Sequence, residues 1–539
     1  MLLDKEKGFR WLLTPALKLV AILIGALLFA GSFPNPVITD GIPFFAWLAF
    51  IPVFWITRNS SLAGSAFYGI AYAVSAYGLF NYWLSVFHPL AGMIVGGIYA
   101  IYFAILFPLL TFSYRLYPDR GYVLQWILWL SYEYLRTLGF LGYPYGISGY
   151  TQWRMMQIIQ IADITGVWGI SALVVFPSAY IAASLQNGYK NIGKFVLKEK
   201  IILFAWLIAI ACSLVYGLFS PVDYSKSPKK RITLVQHNND PWQGGINTYR
   251  ENFYTLRRLS DIALASNNKP DLVVWSETAF IPRIFWHSTY REDPEAYLLV
   301  KELLEYLAKQ DIPFVIGNDD GRKESTPSGD WERVDYNAAL LYIQGQERGL
   351  YRKRHLVPFT EHFPYQKQFP AIYSALKAAD THFWKKGTEP TVFRLPEFTF
   401  STPICFEDSF GYISRQFVAN GADLLVNLTN DAWAKSLSAQ NQHLGMAIFR
   451  AVENRRSMVR ATASGQTCAI DPNGRIIDLG IPFSETQITV EVPIFNRKRT
   501  IYTRFGDYLG GIFLTAAGLA MVSAMRKKIH GKLHQRVRT

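Results

Sequence analysis

The sequence predicts two parts in one chain: an α-helical membrane bundle of about eight spans and an α/β domain outside the membrane. Three observations carry this. Half of the 539 residues are hydrophobic and only 17% are charged, against about 25% charged in soluble domains. The apolar residues gather in separate stretches near 15–31, 42–57, 62–84, 90–114, 122–139, 166–186, 201–219 and 507–525. Between 220 and 506 the text changes, with 35 Lys and Arg against 32 Asp and Glu.

Most of the apolar stretches reach the roughly 20 residues that a bilayer core requires. Two are weaker: 42–57 is short, and 122–139 carries Glu133 and Arg136. At i,i+3 spacing those two charges are expected to satisfy each other. Cys212 reads as a packing residue within a span. No stretch reads as a cleaved signal peptide, because span after span follows.

The formal charge of +14 resides mainly outside 220–506, where 19 Lys and Arg stand against 8 Asp and Glu. With a cytoplasmic N-terminus, Lys5, Lys7, Arg10, Arg58, Arg115, Arg120, Lys190, Lys194, Lys198, Lys200 and the tail from Arg526 all fall inside. The positive-inside rule then puts both termini in the cytoplasm and 220–506 outside. The expected organisation is spans over 1–219, an extracytoplasmic domain over 220–506, a last span over 507–525 and a basic tail over 526–539. So regular a pattern leaves little for a nucleic-acid surface.

The middle block alternates strand and helix, which indicates an α/β domain. Strands are expected at 231–236, 271–276, 313–317, 337–343, 349–357, 391–395, 398–405, 423–428, 457–463, 467–471, 475–479 and 487–492. Helices are expected near 247–266, 293–309 and 439–455. The run 320–335 reads as a solvated loop, and Cys468 as a buried strand residue. There is no phosphate loop, no HExxH and no CxxC, so neither nucleotide nor metal is expected.

Three strings carry chemistry. Val274-Trp275-Ser276-Glu277 ends a buried strand in a carboxylate, where burial raises a pKa. Tyr351-Arg352-Lys353-Arg354-His355 puts Tyr351, Lys353 and His355 on one strand face, where a fixed cation stabilises an oxyanion. Thr402-Pro403-Ile404-Cys405 delivers a thiol to a turn, followed by the acidic pair Glu407-Asp408. Taken singly, each fits as well a surface Glu, an edge-strand Lys or a packed Cys.

Taken together and in this order, Glu, Lys and Cys resemble the nitrilase (carbon–nitrogen hydrolase) superfamily. With the spans on either side, the chain resembles the membrane-embedded branch of that superfamily, the apolipoprotein N-acyltransferases. The most specific strings are Lys353-x-His-Leu-Val-Pro-Phe-x-Glu361, Ile404-Cys-Phe-Glu407 and Asn430-Asp-Ala-Trp433. Gln442-His443, Met446-Ala447 and Arg450-Ala-Val-Glu-Asn454 continue the pattern on the next helix.

The resemblance implies an αββα sandwich for the outer domain. It implies Glu277 as general base, Lys353 as oxyanion cation and Cys405 as nucleophile, with Glu361 and Glu407 in support. Trp242, Trp433 and Phe406 match residues near the acyl site; Phe406 stands where the family usually has Tyr. Ser276, Thr360, Ala434 and the run Gln236-His-Asn-Asn also depart from the family pattern. The implied partners are a phospholipid acyl donor and a diacylglyceryl-modified apolipoprotein acceptor, with no cofactor, in a monomer of the bacterial inner membrane. The stretch 362–386 reads equally as an arm dipping into the lipid interface and as a surface insertion. The alternative activity is a membrane-tethered amidase using water as acceptor, and a transporter or receptor would leave Cys405 without a role.

Overall fold

The structure, a computed structural model, describes residues 15–87, 89–240, 243–326, 329–378, 381–496 and 499–536. It divides into two compact units, Met1–Ser220 with Asp507–Thr539, and Pro221–Gly506.

The first unit is helical. Among the described residues, four helices are long and apolar enough to cross a bilayer: Pro15–Ser32, Leu90–Leu116, Val167–Leu185 and Lys200–Phe219. Pro43–Arg58 and Tyr508–Ala524 are shorter apolar helices. Apolar side chains stand exposed along Leu17, Val20, Leu23, Ile24 and Leu27, and along Ile201, Phe204, Leu207, Ile208 and Val215. Such faces suit a lipid solvent, because a helix already satisfies its own backbone. The interior is aromatic; the rings of Phe50 and Trp129 lie 4.4 Å apart and Tyr77 stacks on Tyr99 at 3.7 Å.

Sequence expectation and structure differ here in three places. The 62–84 stretch is a helix over Leu62–Tyr72 that loosens into a π-turn at Ala73–Tyr77 before Gly78–Phe80. Cys212 is exposed on its helix rather than packed. Glu133 and Arg136 take separate hydrogen-bond partners. Glu133 accepts from the Trp129 indole at 3.1 Å and from the Ser148 backbone N–H at 3.0 Å. Arg136 donates to the Tyr99 hydroxyl and to the carbonyls of Tyr143 and Tyr145. The segment that folds back after the helix Gly121–Leu135 brings closer partners than one helical turn offers.

The second unit holds two six-stranded sheets. Strands are β1 (Lys229–Gln236), β2 (Leu272–Trp275), β3 (Phe314–Ser325), β4 (Trp331–Ile343), β5 (Gln346–Arg352), β6 (Phe393–Arg394), β7 (Thr399–Ser401), β8 (Leu424–Thr429), β9 (Ser457–Thr462), β10 (Cys468–Ile470), β11 (Ile476–Leu479) and β12 (Thr486–Pro493). Their orders are β12-β1-β2-β3-β4-β5 and β11-β10-β9-β8-β7-β6. In each sheet three central strands run parallel: β1, β2 and β3, then β7, β8 and β9. Parallel strands are buried on both faces, which explains the continuous apolar runs LVVW and LLVNL.

Amphipathic helices cover the strands. Ile246–Leu264 and Pro294–Ala308 bury Phe253, Leu256, Leu299 and Leu303 in a core shared with Val273 and Trp275 of β2. Helix Leu437–Asn454 is buried along nearly its whole length. Gln236, at the end of β1, accepts from Thr462 at 3.0 Å and from Thr467 at 2.7 Å, which ties the two sheets. The unit is built of two sheets and the helices that cover them.

Three expectations change. The run 320–335 is not a loop: β3 and β4 pair in register from Phe314↔Tyr342 to Ser325↔Trp331. Its charged and small polar residues carry no period-two apolar pattern, so a polar text hid a hairpin. Short helices Ile284–Tyr290 and Gly411–Ala419 were not expected. The strand expected over 349–357 stops at Arg352.

Candidate active site

Glu277 follows β2 by two residues. Beyond the end of β5, Lys353 still pairs with the sheet, its backbone N–H donating to the Asn337 carbonyl at 2.8 Å. Cys405 opens the 3₁₀ turn Cys405–Ser409, and Ile404 before it bridges Leu428 of β8. Cys405 stands at φ 48° and Thr278, just after Glu277, at φ 43°. Side chains with a Cβ seldom occupy this region, and holding one there costs about 1–3 kcal/mol. Two such residues beside two candidate reacting groups mark a site whose surroundings impose the geometry.

The charges are linked. The Lys353 ammonium donates to Glu277 Oε1 at 3.1 Å and to Glu361 Oε1 at 2.7 Å, and its side chain has no solvent exposure. Glu277 Oε1 also accepts from the Asn337 amide at 2.8 Å, and Oε2 from the Asn430 backbone N–H at 3.0 Å. Glu361 Oε2 accepts from the Val357 N–H at 2.9 Å. Burial works against the Lys353 charge, but Glu277 and Glu361 hold its pKa well above the usual lysine range. Burial raises Glu361, with Lys353 opposing. Burial also pushes the Cys405 thiol well up, Glu277 adds to that, and Lys353 opposes. A thiol in this state keeps its proton at neutral pH and needs a base to become a nucleophile.

Glu407 is buried and fully engaged. It accepts from the Tyr351 hydroxyl at 2.8 Å, from the backbone N–H groups of Arg354 at 2.7 Å and His355 at 2.9 Å, and from Ile404 N–H at 2.9 Å. One carboxylate therefore joins the residues after Lys353 to the residue before Cys405. Burial raises its pKa, and these N–H groups oppose the rise.

Phe406 is buried against Phe410, ring centroids 4.9 Å apart. Trp433 is half-buried in the turn Ala432–Ala434. Trp242 lies outside the described residues. Asn337 was missed at the level of sequence, although an Asn opening the apolar run NAALLYI was a signal. The link through Tyr351 and Glu407 was missed too, because the two are 56 residues apart.

The stretch 362–386 carries the helix Pro370–Ala378, in which no residue is buried. Beyond it the chain returns to the site, Trp384 N–H bonding the Glu361 carbonyl and Gly387 N–H the Lys353 carbonyl.

The fold and the clustered carboxylates, ammonium and thiol define a carbon–nitrogen hydrolase type of protein, and residues 231–501 match the carbon-nitrogen hydrolase family. Residues 24–180 match the apolipoprotein N-acyltransferase N-terminal domain. The chain is 45% identical over 510 residues to apolipoprotein N-acyltransferase 1 of Treponema denticola, covering 92% of this chain and 94% of the relative. It is 44% identical over 519 residues to apolipoprotein N-acyltransferase 1 of Treponema pallidum, covering 93% and 94%. Among solved structures it is similar to an amidase from Nesterenkonia sp., with 18% identity, a TM-score of 0.34, and coverage of 50% of this chain and 91% of that one. The chain belongs to the apolipoprotein N-acyltransferase family.

Proposed function

We propose that the chain moves a fatty acyl group from a membrane phospholipid to the α-amine of the N-terminal diacylglyceryl-cysteine of an apolipoprotein, through a thioester on Cys405. The observation that carries the residue roles is the buried Lys353 ammonium bound to both Glu277 and Glu361 beside a thiol that retains its proton.

In the first half-reaction Cys405 Sγ attacks the ester carbonyl carbon while Glu277 takes the thiol proton. Lys353 faces the negative charge that develops on the carbonyl oxygen. The carbon–oxygen bond breaks, Glu277 returns its proton to the leaving lysophospholipid oxygen, and a thioester remains. In the second half-reaction the amine nitrogen attacks the thioester and Glu277 accepts its proton. The carbon–sulfur bond breaks and the proton returns to Cys405, leaving an amide. Glu361 fixes the ammonium, Glu407 fixes the Cys405 turn against the Lys353 segment, and the family resemblance assigns Phe406, Trp242 and Trp433 to the acyl site. The names of the relatives do not favour the amidase alternative, with water as acceptor.

The same reading has about eight spans, both termini in the cytoplasm and the catalytic domain of 220–506 on the periplasmic side, in a monomer. What supports it is the distribution of Lys and Arg in the short loops and tail. The stretch 362–386, with Tyr365, Phe369 and Ile372 exposed, reads as the arm that meets the lipid interface.

The test uses the purified full chain in phospholipid vesicles with a diacylglyceryl peptide. Mass spectrometry is expected to find an acyl group on Cys405 before peptide is added and an N-acyl peptide afterwards. Cys405→Ser should yield neither. Release of free fatty acid alone, or transfer by Cys405→Ser at the wild-type rate, would overturn the reading.

A further inference from the structure

Behind the thiol lies a buried charge cluster that the mechanism above does not use. Asp408 sits in the turn that Cys405 opens, three residues on. Asp431 directly follows Asn430, the residue whose N–H holds Glu277. Between them stands His443 from helix Leu437–Asn454. Its Nε2 is 2.6 Å from Asp408 Oδ1 and its Nδ1 is 3.0 Å from Asp431 Oδ1. Arg460 of β9 spans the same pair, meeting Asp408 through Nη1 and Asp431 Oδ2 through Nη2 at 3.3 Å. All four side chains are buried.

Each ring nitrogen faces a carboxylate, and as the imidazolium the ring donates to both; Nδ1 also lies 3.3 Å from Arg460 Nη2. The rigid imidazolium presents its two N–H donors from opposite edges, so together with Arg460 the ring fixes the spacing between the two carboxylates. Burial alone would lower the His443 pKa, but Asp408 and Asp431 raise it to about 9. The Thr429 hydroxyl donates to Asp431 Oδ1 at 3.2 Å, and the Cys405 and Cys468 thiols also lie within reach of the cluster's charges. Two carboxylates and two cations leave it neutral. Stability alone does not call for such a cluster, since apolar residues of similar volume often serve as well or better. Its two carboxylates lie on the two segments that deliver the thiol and hold the base.

We propose that His443 is a positioning residue for acyl transfer: by bonding Asp408 and Asp431 at once, it sets the spacing between the Cys405 turn and the Asn430–Asp431 loop, and hence between the thiol and Glu277. The inference rests on the reading of Cys405 as nucleophile and Glu277 as base.

His443→Gln is made in the full chain and assayed in the same vesicles. A displacement near 1 Å at the reacting atoms costs about 100-fold, so kcat should fall by that order while KM for phospholipid stays within about twofold. Iodoacetamide labelling of Cys405 as a function of pH reads the thiol directly. Losing a cation beside it should move the labelling midpoint upward. In His443→Gln/Asp431→Asn the charge balances again, so the midpoint should return toward wild type while kcat stays low. Recovery of kcat along with the midpoint would overturn positioning in favour of simple charge, and wild-type kcat in His443→Gln would overturn it outright. Should His443→Gln fail to fold, Asp431→Asn alone decides: a kcat loss with unchanged KM supports the proposal, and wild-type kcat sinks it. The underlying reading is judged separately, because its failure appears in the wild-type protein as absence of a Cys405 thioester.

Discussion

Lys353 is the residue on which the site turns, since it neutralises Glu277 and Glu361 together. Lys353→Met removes that charge and leaves two buried carboxylates side by side. Breaking a buried pair in this way costs about 3–5 kcal/mol, so the variant should melt well below wild type and form no thioester; wild-type melting would show that the pairing is not what holds the site. Histidines give the pH dependence of stability. Burial depresses His237 to about 4 and His355 to about 3, so the stability they contribute is present above pH 6.5 and lost as pH falls toward those values. His443 has the opposite sign. Raised to about 9, it contributes stability that is full below pH 6.5 and lost as pH rises through 9. Thermal melting across pH should therefore peak near neutrality, and His443→Gln should flatten the alkaline side. An unchanged alkaline decline in that variant would assign the decline to other groups. The sequence made Glu277, Lys353 and Cys405 legible as candidates, because each ends a recognisable run. It marked Asn337 only as an Asn at the head of an apolar run and could not reveal its bond to Glu277 or the Tyr351–Glu407 link, whose partners are distant along the chain.

At the scale of elements, the strand ends do the positioning. Gly317 of β3 lies against the turn after β2, and a Cβ there would stand 2.2 Å from the Ser276 carbonyl oxygen and 2.7 Å from the Glu277 Cα. Both neighbours are backbone, so they cannot step aside cheaply. Gly317→Ala should destabilise the fold by about 1–3 kcal/mol and displace Glu277, lowering kcat more than it raises KM; unaltered melting and kcat would mean that the turn relaxes freely. Strand periodicity made most strands and the long helices readable. It failed at 320–335, where dense charge and Ser-Gly content resemble a loop although β3 and β4 pair as far as Ser325↔Trp331. It failed also for Gly411–Ala419, a helix of only 9 residues that buries Ile413 and Phe417 against neighbours the sequence does not name.

For the whole molecule, charge placement makes a topological prediction. With Cys212, Cys405 and Cys468 replaced by Ser, single cysteines introduced in 223–227 or 320–326 should react with an impermeant maleimide in intact spheroplasts. One introduced at Lys190 or Lys194 should react only after permeabilisation, and the reverse pattern would invert the chain in the membrane. The sequence by itself determined the division of labour: apolar stretches, a nearly neutral α/β block and a basic tail follow from composition, which depends on no contact between distant residues. It also made the candidate reacting groups legible, since each lies inside a short string. Only the tertiary structure decided how those groups meet. Lys353 between two carboxylates, Glu407 between two segments and His443 between two aspartates are pairings that reach as far as 76 residues along the chain. Their energetics depend on burial and distance, which exist only once two sheets have closed on one another.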